Sequence, residues 1–300
     1  MSKQQKTGLK FRLTVGIGLV GLGTVLTGLY LRHTNIVVLN PKGPLARQER
    51  NLIIFAALLS LVVVIPVFIM TITIAWRYRE SNKAARYQPD WDHSRLAESL
   101  WWGIPSLLIL ILGIVTWNSS HSLDPYRPLR SPNPPLTIQV IALDWKWLFI
   151  YPQQGIASLN YLQFPEQTPI NFEVTSDATM NSFWIPQLSG QIYAMNGMSS
   201  QLHLLADGQG TYQGRSANIS GEGFAGMNFA VHSSTMSDFN NWVRKVKQSP
   251  NHLDAVSYAK LSEPSQNSPI TYYSATDNYL YDKIVLKSAP DANNLSTSQL

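Results

Sequence analysis

Three uncharged runs, Leu13 to Leu31, Leu52 to Trp76 and Ser99 to Asn118, crowd into the first 120 of 300 residues and constrain the rest of the chain. The second holds 25 residues and the third 20. At that length an α-helix reaches roughly 30 to 37 Å, enough to cross a hydrocarbon core of about 30 Å. Inside such a core every backbone N–H and C=O must be satisfied within the segment, so runs like these fold as helices. Trp101, Trp102 and Trp117 stand near the ends of the third run, where interfacial aromatics belong. Pro66 inside the second is tolerable in lipid and is expected to kink its helix. Residues 52–76 and 99–118 are therefore expected to span a membrane, within a two-helix section covering 32–120.

The first run is 19 residues long and follows Lys3, Lys6, Lys10 and Arg12, the positive n-region of a secretory signal. Its apolar core exceeds the usual length, and the sequence "LYLRHTN" offers no small-x-small cleavage site. Residues 1–31 thus read as a signal peptide or a signal anchor, with the uncleaved anchor favoured.

Charge sets the orientation. Residues 1–120 carry 13 Lys/Arg against 5 Asp/Glu, whereas residues 121–300 carry 10 against 13, so the basic balance belongs to the membrane end alone. Basic residues that flank apolar runs mark lipid-facing segments; nucleic-acid binding would interleave them with aromatics on a soluble surface. The loop between the second and third runs contains Arg77, Arg79, Lys83, Arg86 and Arg95, which makes it cytoplasmic and places His121 onward outside. Four cations between Arg32 and Arg50 weaken that rule without reversing it. The chain has no cysteine, which excludes disulfides, thiolate ligands, thiol nucleophiles and lipidated cysteines.

Beyond the Pro-rich "SPNPPLTIQV" the pattern shortens to β-type runs: 136–143, 145–151, 156–164, 169–175, 182–185, 191–195, 202–206 and 227–231. Their spacing and Gly, Pro and Asn punctuation predict an antiparallel sandwich or barrel over 125–233. The period then changes. Phe239, Trp242, Val243 and Val246 form the stripe of a surface helix, with Ser237 as its cap and Pro250 beyond its end. A second short helix is expected around 252–261, so 234–287 reads as a helical extension and 288–300 as a disordered tail.

The order of these segments carries a resemblance. A membrane helix pair, then "DWKWLFIYP", then "SFWIPQLSGQIYAM", then the loop "GRSANISGEGFAGM" is similar to subunit II of the haem-copper oxidases, within it the quinol oxidase branch of cytochrome bo type. That resemblance covers about residues 35 to 285. It implies a membrane-anchored all-β protein, with a cupredoxin-like sandwich and C-terminal helices. It also implies a bacterial inner membrane with the C-terminal domain periplasmic.

The cytochrome c oxidases of that family hold two copper ions with the loop Cys-Ser-Glu-x-Cys-Gly-x-x-His-x-x-Met and an earlier His. Aligned on Gly221 and Met227, the two Cys positions are Ser216 and Ser220, the Glu is Asn218, the His is Phe224 and the earlier His is Asn181. Only Met227 remains, and a lone thioether is not a copper site. The resemblance therefore implies no metal in this subunit; haems and a copper belong to subunit I, and ubiquinol is the substrate of the complex. Met227 reads as core, and Gly221, Gly223 and Gly226 as turn glycines. Ser216 and Ser220 lack a Gly-x-Ser-x-Gly elbow, which sets a hydrolase aside.

Trp145 and Trp147 match the aromatic stretch through which cytochrome c oxidases receive electrons. With no copper beneath it, packing is the expected role and cytochrome c is not an expected partner. Glu98, one residue before the third run, reads either as a helix-start carboxylate, with Ser94 as a candidate cap, or, as the resemblance implies, as the entry point of a proton channel into subunit I. The expectation is a subunit II with structural and assembly roles, partnered by subunit I, the other subunits and lipid. The alternative is a membrane-tethered cupredoxin-like binding module with no oxidase partner.

Overall fold

The computed structural model describes residues 36–85, 90, 92–129, 131–277 and 279–288, together with Gly23 and Gly28. These residues fall into two units, one ending at Pro41 and the other beginning at Lys42. In the first, Gly23 and Gly28 are helical and Val37–Leu39 forms a 3-10 turn. Apart from those two glycines, the expected signal or anchor segment lies outside the described residues, as does the tail after Ser288.

The second unit opens with two long helices, α1 (Pro44–Arg77, 34 residues) and α2 (Arg95–Ser122, 28 residues). Each extends past its uncharged run. Pro44 starts α1 at a position whose N–H would be unpaired in any case. Ser94 caps α2, its Oγ accepting the Ala97 N–H at 3.4 Å. Phe68, Ile72, Trp102, Ile109 and Trp117 stand exposed along the two helices, an apolar surface that water does not tolerate and lipid does. Ser60 and Thr71 turn their hydroxyls back to the carbonyls of Ala56 and Val67, so neither polar group faces hydrocarbon unpaired.

Eleven strands follow: β1 Leu136–Leu143, β2 Lys146–Tyr151, β3 Ile156–Leu159, β4 Tyr161–Pro165, β5 Ile170–Ser176, β6 Asn181–Trp184, β7 Gln191–Ala194, β8 Ser200–Leu204, β9 Gly210–Ser216, β10 Asn228–Ser234 and β11 Thr271–Tyr273. They form a six-stranded sheet, β11-β3-β2-β1-β5-β8, and a five-stranded sheet, β4-β10-β9-β6-β7. The sheets are mixed, not purely antiparallel: β1 runs parallel to β5, and β4 parallel to β10. At Asn160 the run expected to be one strand breaks in two. Its backbone turns left-handed at φ 54°, and the chain leaves one sheet for the other. The side chain secures the break, accepting the Trp147 N–H at 2.9 Å and donating to the Ser268 carbonyl at 2.8 Å.

Trp147, Phe149, Phe172, Phe183 and Phe229 fill the space between the sheets, with Phe183 stacked on Phe229 at 5.3 Å. Strands β1 and β2 are buried on both faces, because Ile141, Leu143, Leu148 and Ile150 turn outward into a second core. Leu253, Tyr258, Tyr273, Leu280, Tyr281 and Ile284 of the C-terminal extension cover it. That extension contains α3 (Met236–Val246), α4 (Ala255–Ser262) and α5 (Leu280–Lys287), together with β11, a strand the helical reading of 234–287 did not anticipate. The stripe Phe239, Trp242, Val243 and Val246 is buried as its spacing predicts. The cap of α3 is Thr235, not Ser237: Thr235 Oγ1 accepts the Asp238 N–H at 3.1 Å, which leaves Ser237 inside the first turn.

The membrane end is fastened to the sandwich at the start of α1. Lys42 N–H donates to the Gln187 carbonyl at 2.7 Å, Ala46 N–H to Leu188 at 3.3 Å, and Arg47 pairs with Asp207. A Cβ on Gly43 would stand 2.5 Å from the Leu205 carbonyl oxygen, so only glycine allows this approach.

Candidate functional site

Five of the six positions aligned with copper ligands come from β6, from the end of β9 and from the loop that joins β9 to β10; Met227 closes that loop at the start of β10. Asn181 and Ser216 are buried at 1% and 4% exposure. Their side chains meet: the Ser216 hydroxyl donates to Asn181 Oδ1 at 2.8 Å, with the Asn218 carbonyl at 3.2 Å as a second acceptor. Asn181 Nδ2 donates to the Thr179 carbonyl at 2.7 Å, and Asn218 Nδ2 to the Met180 carbonyl at 2.9 Å. A buried polar pair is stable only when its groups are mutually satisfied, and this one is.

The remaining positions take other parts. Ser220 Oγ is enclosed and finds no partner among the described residues, while its carbonyl accepts the Trp145 indole N–H at 3.1 Å. Phe224 is half-buried and begins a 3-10 turn, Phe224–Gly226. Met227 is 1% exposed and belongs to the main core, with its carbonyl accepting the Ser216 N–H at 3.1 Å. The structure thus joins Asn181, Ser216 and Asn218 directly, connects Met227 to them through the backbone, and ties Ser220 to Trp145. Among the described residues no group of three or more His, Asp or Glu side chains comes together as a metal site would require.

Trp145 departs from its expected place in a strand. It occupies the β1–β2 hairpin turn with φ 62°, a left-handed conformation that a large side chain adopts only when its surroundings hold it there. The glycine loop supplies that hold. A Cβ on Gly223 would lie 2.4 Å from the indole ring, and Gly221 passes the same ring at φ 107°. Trp147 points the other way, fully buried with its ring edge-on to Phe183 and Phe229 at 5.4 and 5.8 Å. The two tryptophans therefore lie in different environments, one clasped by the loop and one inside the core.

Glu98 is on the first turns of α2, away from this loop in sequence. Its Oε1 lies 2.6 Å from His93 Nδ1 and 3.4 Å from the Ser94 N–H, and its side chain is 37% exposed.

Sequence reasoning did not single out Lys146, Asp177 or His93. Lys146 is 2% exposed, yet its ammonium donates to the Glu263 carbonyl and the Ser265 hydroxyl, and burial lowers its pKa against the pull of Asp144. Asp177 accepts from Tyr258 at 2.8 Å and from Lys287 at 2.7 Å with 4% side-chain exposure. Both fasten the C-terminal extension to the sandwich. A charged residue inside "DWKWLFIYP" was the available signal for Lys146.

Comparison with known proteins places these features. Residues 155–234 match the family described as cytochrome c oxidase subunit II, periplasmic domain, and residues 247–289 match the COX aromatic rich motif. Cytochrome bo(3) ubiquinol oxidase subunit 2 of Pseudomonas putida is 52% identical over 90% of this chain and 86% of its own. Ubiquinol oxidase subunit 2 of Acetobacter aceti is 48% identical over 89% of this chain and 87% of its own. Quinol oxidase subunit 2 of Bacillus cereus is 36% identical over 83% and 86%. The aromatic rich motif falls in the extension that covers the second core, and the subunit II match covers the cupredoxin-like sandwich from Gly155, just before β3, to the end of β10. The chain belongs to the haem-copper oxidase subunit II family, in its bo-type ubiquinol oxidase branch.

Proposed function

We propose that this chain is subunit II of a proton-pumping respiratory quinol oxidase, oxidising ubiquinol and reducing oxygen to water, and that it does so without a metal of its own. One observation carries the reading: Asn181, Ser216 and Asn218 satisfy one another and neighbouring carbonyls where copper ligands would converge. Neutral amide and hydroxyl groups are poor ligands for copper, which favours thiolate and imidazole. Electrons then have no reason to pass through the sandwich. A quinol is lipid-soluble and delivers them within the membrane to subunit I, which holds the haems and copper. Trp145 and Trp147 serve packing, and cytochrome c is not a partner.

The subunit's own contribution is structural. Its helices α1 and α2 anchor it among lipid and subunit I in a bacterial inner membrane, and the Arg47–Asp207 pair with its neighbouring backbone bonds fixes the sandwich on the periplasmic side. Glu98, at the cytoplasmic end of α2, collects protons bound for subunit I. An exposed carboxylate at a membrane surface exchanges with water at little desolvation cost. Extraction in mild detergent tests the assignment. Co-purification with a haem-containing complex that oxidises ubiquinol is expected, and a haem-free protein would point to a tethered binding module.

A further inference from the structure

We propose that Asn196 and Gly197, at the tip of the β7–β8 connection, form a self-modifying site: the Gly197 amide attacks the Asn196 side chain, and the turn ends as a mixture of aspartate and isoaspartate. The pair is the one Asn-Gly dipeptide in the chain. Its glycine is set by the backbone, because Gly197 turns at φ 71°, a conformation that a residue with a Cβ adopts only under strain. The same missing Cβ leaves the Gly197 nitrogen open to the preceding side chain.

The surroundings hold the ends of the connection and leave its middle free. Before the turn, the Met195 carbonyl accepts the Ser176 N–H at 3.4 Å and the Thr175 hydroxyl at 3.2 Å. After it, Ser199 Oγ lies 2.7 Å from the Tyr281 hydroxyl of α5, and Ser200 enters β8 opposite Val174. Between these anchors Asn196 is exposed, as is Met198. Among the described residues, neither the Asn196 side chain nor the Gly197 N–H has a hydrogen-bond partner. Asn181 is the contrast. It too precedes a small residue, Ser182, but it is buried, with Oδ1 accepting from Ser216 and Nδ2 donating to the Thr179 carbonyl. A side chain bonded at both ends is not free to swing onto its own backbone; that of Asn196 is.

Loss of the Gly197 N–H proton to base makes the nitrogen a nucleophile. An N–Cγ bond forms at Asn196, the Cγ–Nδ2 bond breaks, and Nδ2 leaves as ammonia, closing a five-membered succinimide. Water then opens that ring at either carbonyl. Addition at Cγ gives aspartate, and addition at the backbone carbonyl gives isoaspartate, whose main chain runs through Cγ. The net change is one water consumed and one ammonia released, with no change in oxidation state. The product alters the surface, because residues 178–202 contain no Asp, Glu, Lys or Arg. The new carboxylate is the first charge in that stretch, between the exposed Tyr193 and Met198. Isoaspartate also lengthens the main chain between the Met195 and Ser199 anchors.

The test incubates the detergent-extracted full chain for days at neutral and at mildly alkaline pH, then follows the chymotryptic peptide 194–202 by mass spectrometry. The expected result is the mass gain of an amide-to-acid exchange at Asn196, split between two products of equal mass and faster at the higher pH, with Asn181 unchanged. Asn196→Gln should lose the conversion, since its longer side chain must close a less favourable six-membered ring. Gly197→Ala should slow it severalfold. An intact Asn196 amide in the folded chain, whether or not unfolding in urea lets it react, would overturn the proposal. A single aspartate product, or an undiminished rate in Asn196→Gln, would overturn it too, by marking direct hydrolysis of the amide.

Discussion

The Ser216 hydroxyl donates to Asn181 Oδ1 over 2.8 Å, so two positions that the resemblance aligns with a cysteine and a histidine ligand of the copper-binding branch are joined by a hydrogen bond. The loop keeps its path because this bond, the backbone pairing of Ser216 with Met227 and the clasp on Trp145 hold it. Ser216→Ala leaves a buried amide oxygen without its donor. The expected loss is about 1–3 kcal/mol in chemical denaturation of the purified chain, with metal content unchanged. An unaltered midpoint would show that the bond contributes nothing to the loop.

Gly223→Ala tests the clasp. Its Cβ would meet the Trp145 ring at 2.4 Å, so the ring must move. A destabilisation of about 1–3 kcal/mol is expected, with a shift in tryptophan emission. Pairing it with Trp145→Ala should relieve most of the added cost, since the clash has then lost its partner. Strict additivity in that cycle would contradict the contact.

Asp177→Ala should loosen the C-terminal extension. The carboxylate holds Tyr258 of α4 and Lys287 of α5, and truncation leaves an enclosed phenol unpaired. A loss of about 1–3 kcal/mol and faster amide exchange across 255–287 are expected, while exchange in β9 and β10 stays slow. Uniform acceleration throughout the sandwich would show that the extension is not a separable layer.

Alkaline pH should unfold the sandwich through its phenols. Burial raises Tyr161 to about 12 and raises Tyr151, Tyr258 and Tyr281 as well, with Asp177 adding to the rise at Tyr258. In the unfolded chain each titrates near 10, so their contribution is complete below about pH 10 and is lost as pH climbs toward the folded values. Lys146 opposes this trend: burial lowers its pKa, and the folded state gains from its earlier deprotonation. Burial also raises Tyr212, Tyr272 and Tyr273, and seven phenols against one ammonium set the direction. The urea midpoint should fall above about pH 10, less steeply in Tyr161→Phe, and a midpoint constant to about pH 11.5 would contradict the assignment.

What the sequence disclosed depended on whether burial coincided with hydrophobicity. β1 was legible to the residue because its inward positions, Leu136, Ile138 and Val140, are apolar and alternate with half-buried Thr137 and Gln139. β9 escaped notice for the opposite reason. Its inward positions are Tyr212, Gly214 and Ser216, and Gly214 is glycine because the Phe229 ring lies where a Cβ would be. No apolar alternation survives that demand. The break at Asn160 and the turn at Trp145 rest on left-handed backbone at residues other than glycine, which composition does not signal. The alignment of Asn181, Ser216 and Asn218 with copper-ligand positions came only by resemblance; that these residues bond to one another required coordinates.

Topology can be read chemically because the chain has no cysteine. In intact cells Ser81→Cys should resist an impermeant thiol reagent, and a cysteine at Ser131 should react. Labelling of the first would reverse the orientation on which the proposed Glu98 role depends.

The measurement closest to the central claim is the metal and haem content of the detergent-extracted complex, taken together with its choice of electron donor. The expected result is haem absorbance, copper no greater than subunit I accounts for, oxidation of ubiquinol and no oxidation of reduced cytochrome c. Additional copper with a purple absorbance, or rapid cytochrome c oxidation, would contradict a subunit II that has kept its loop and given up its metal.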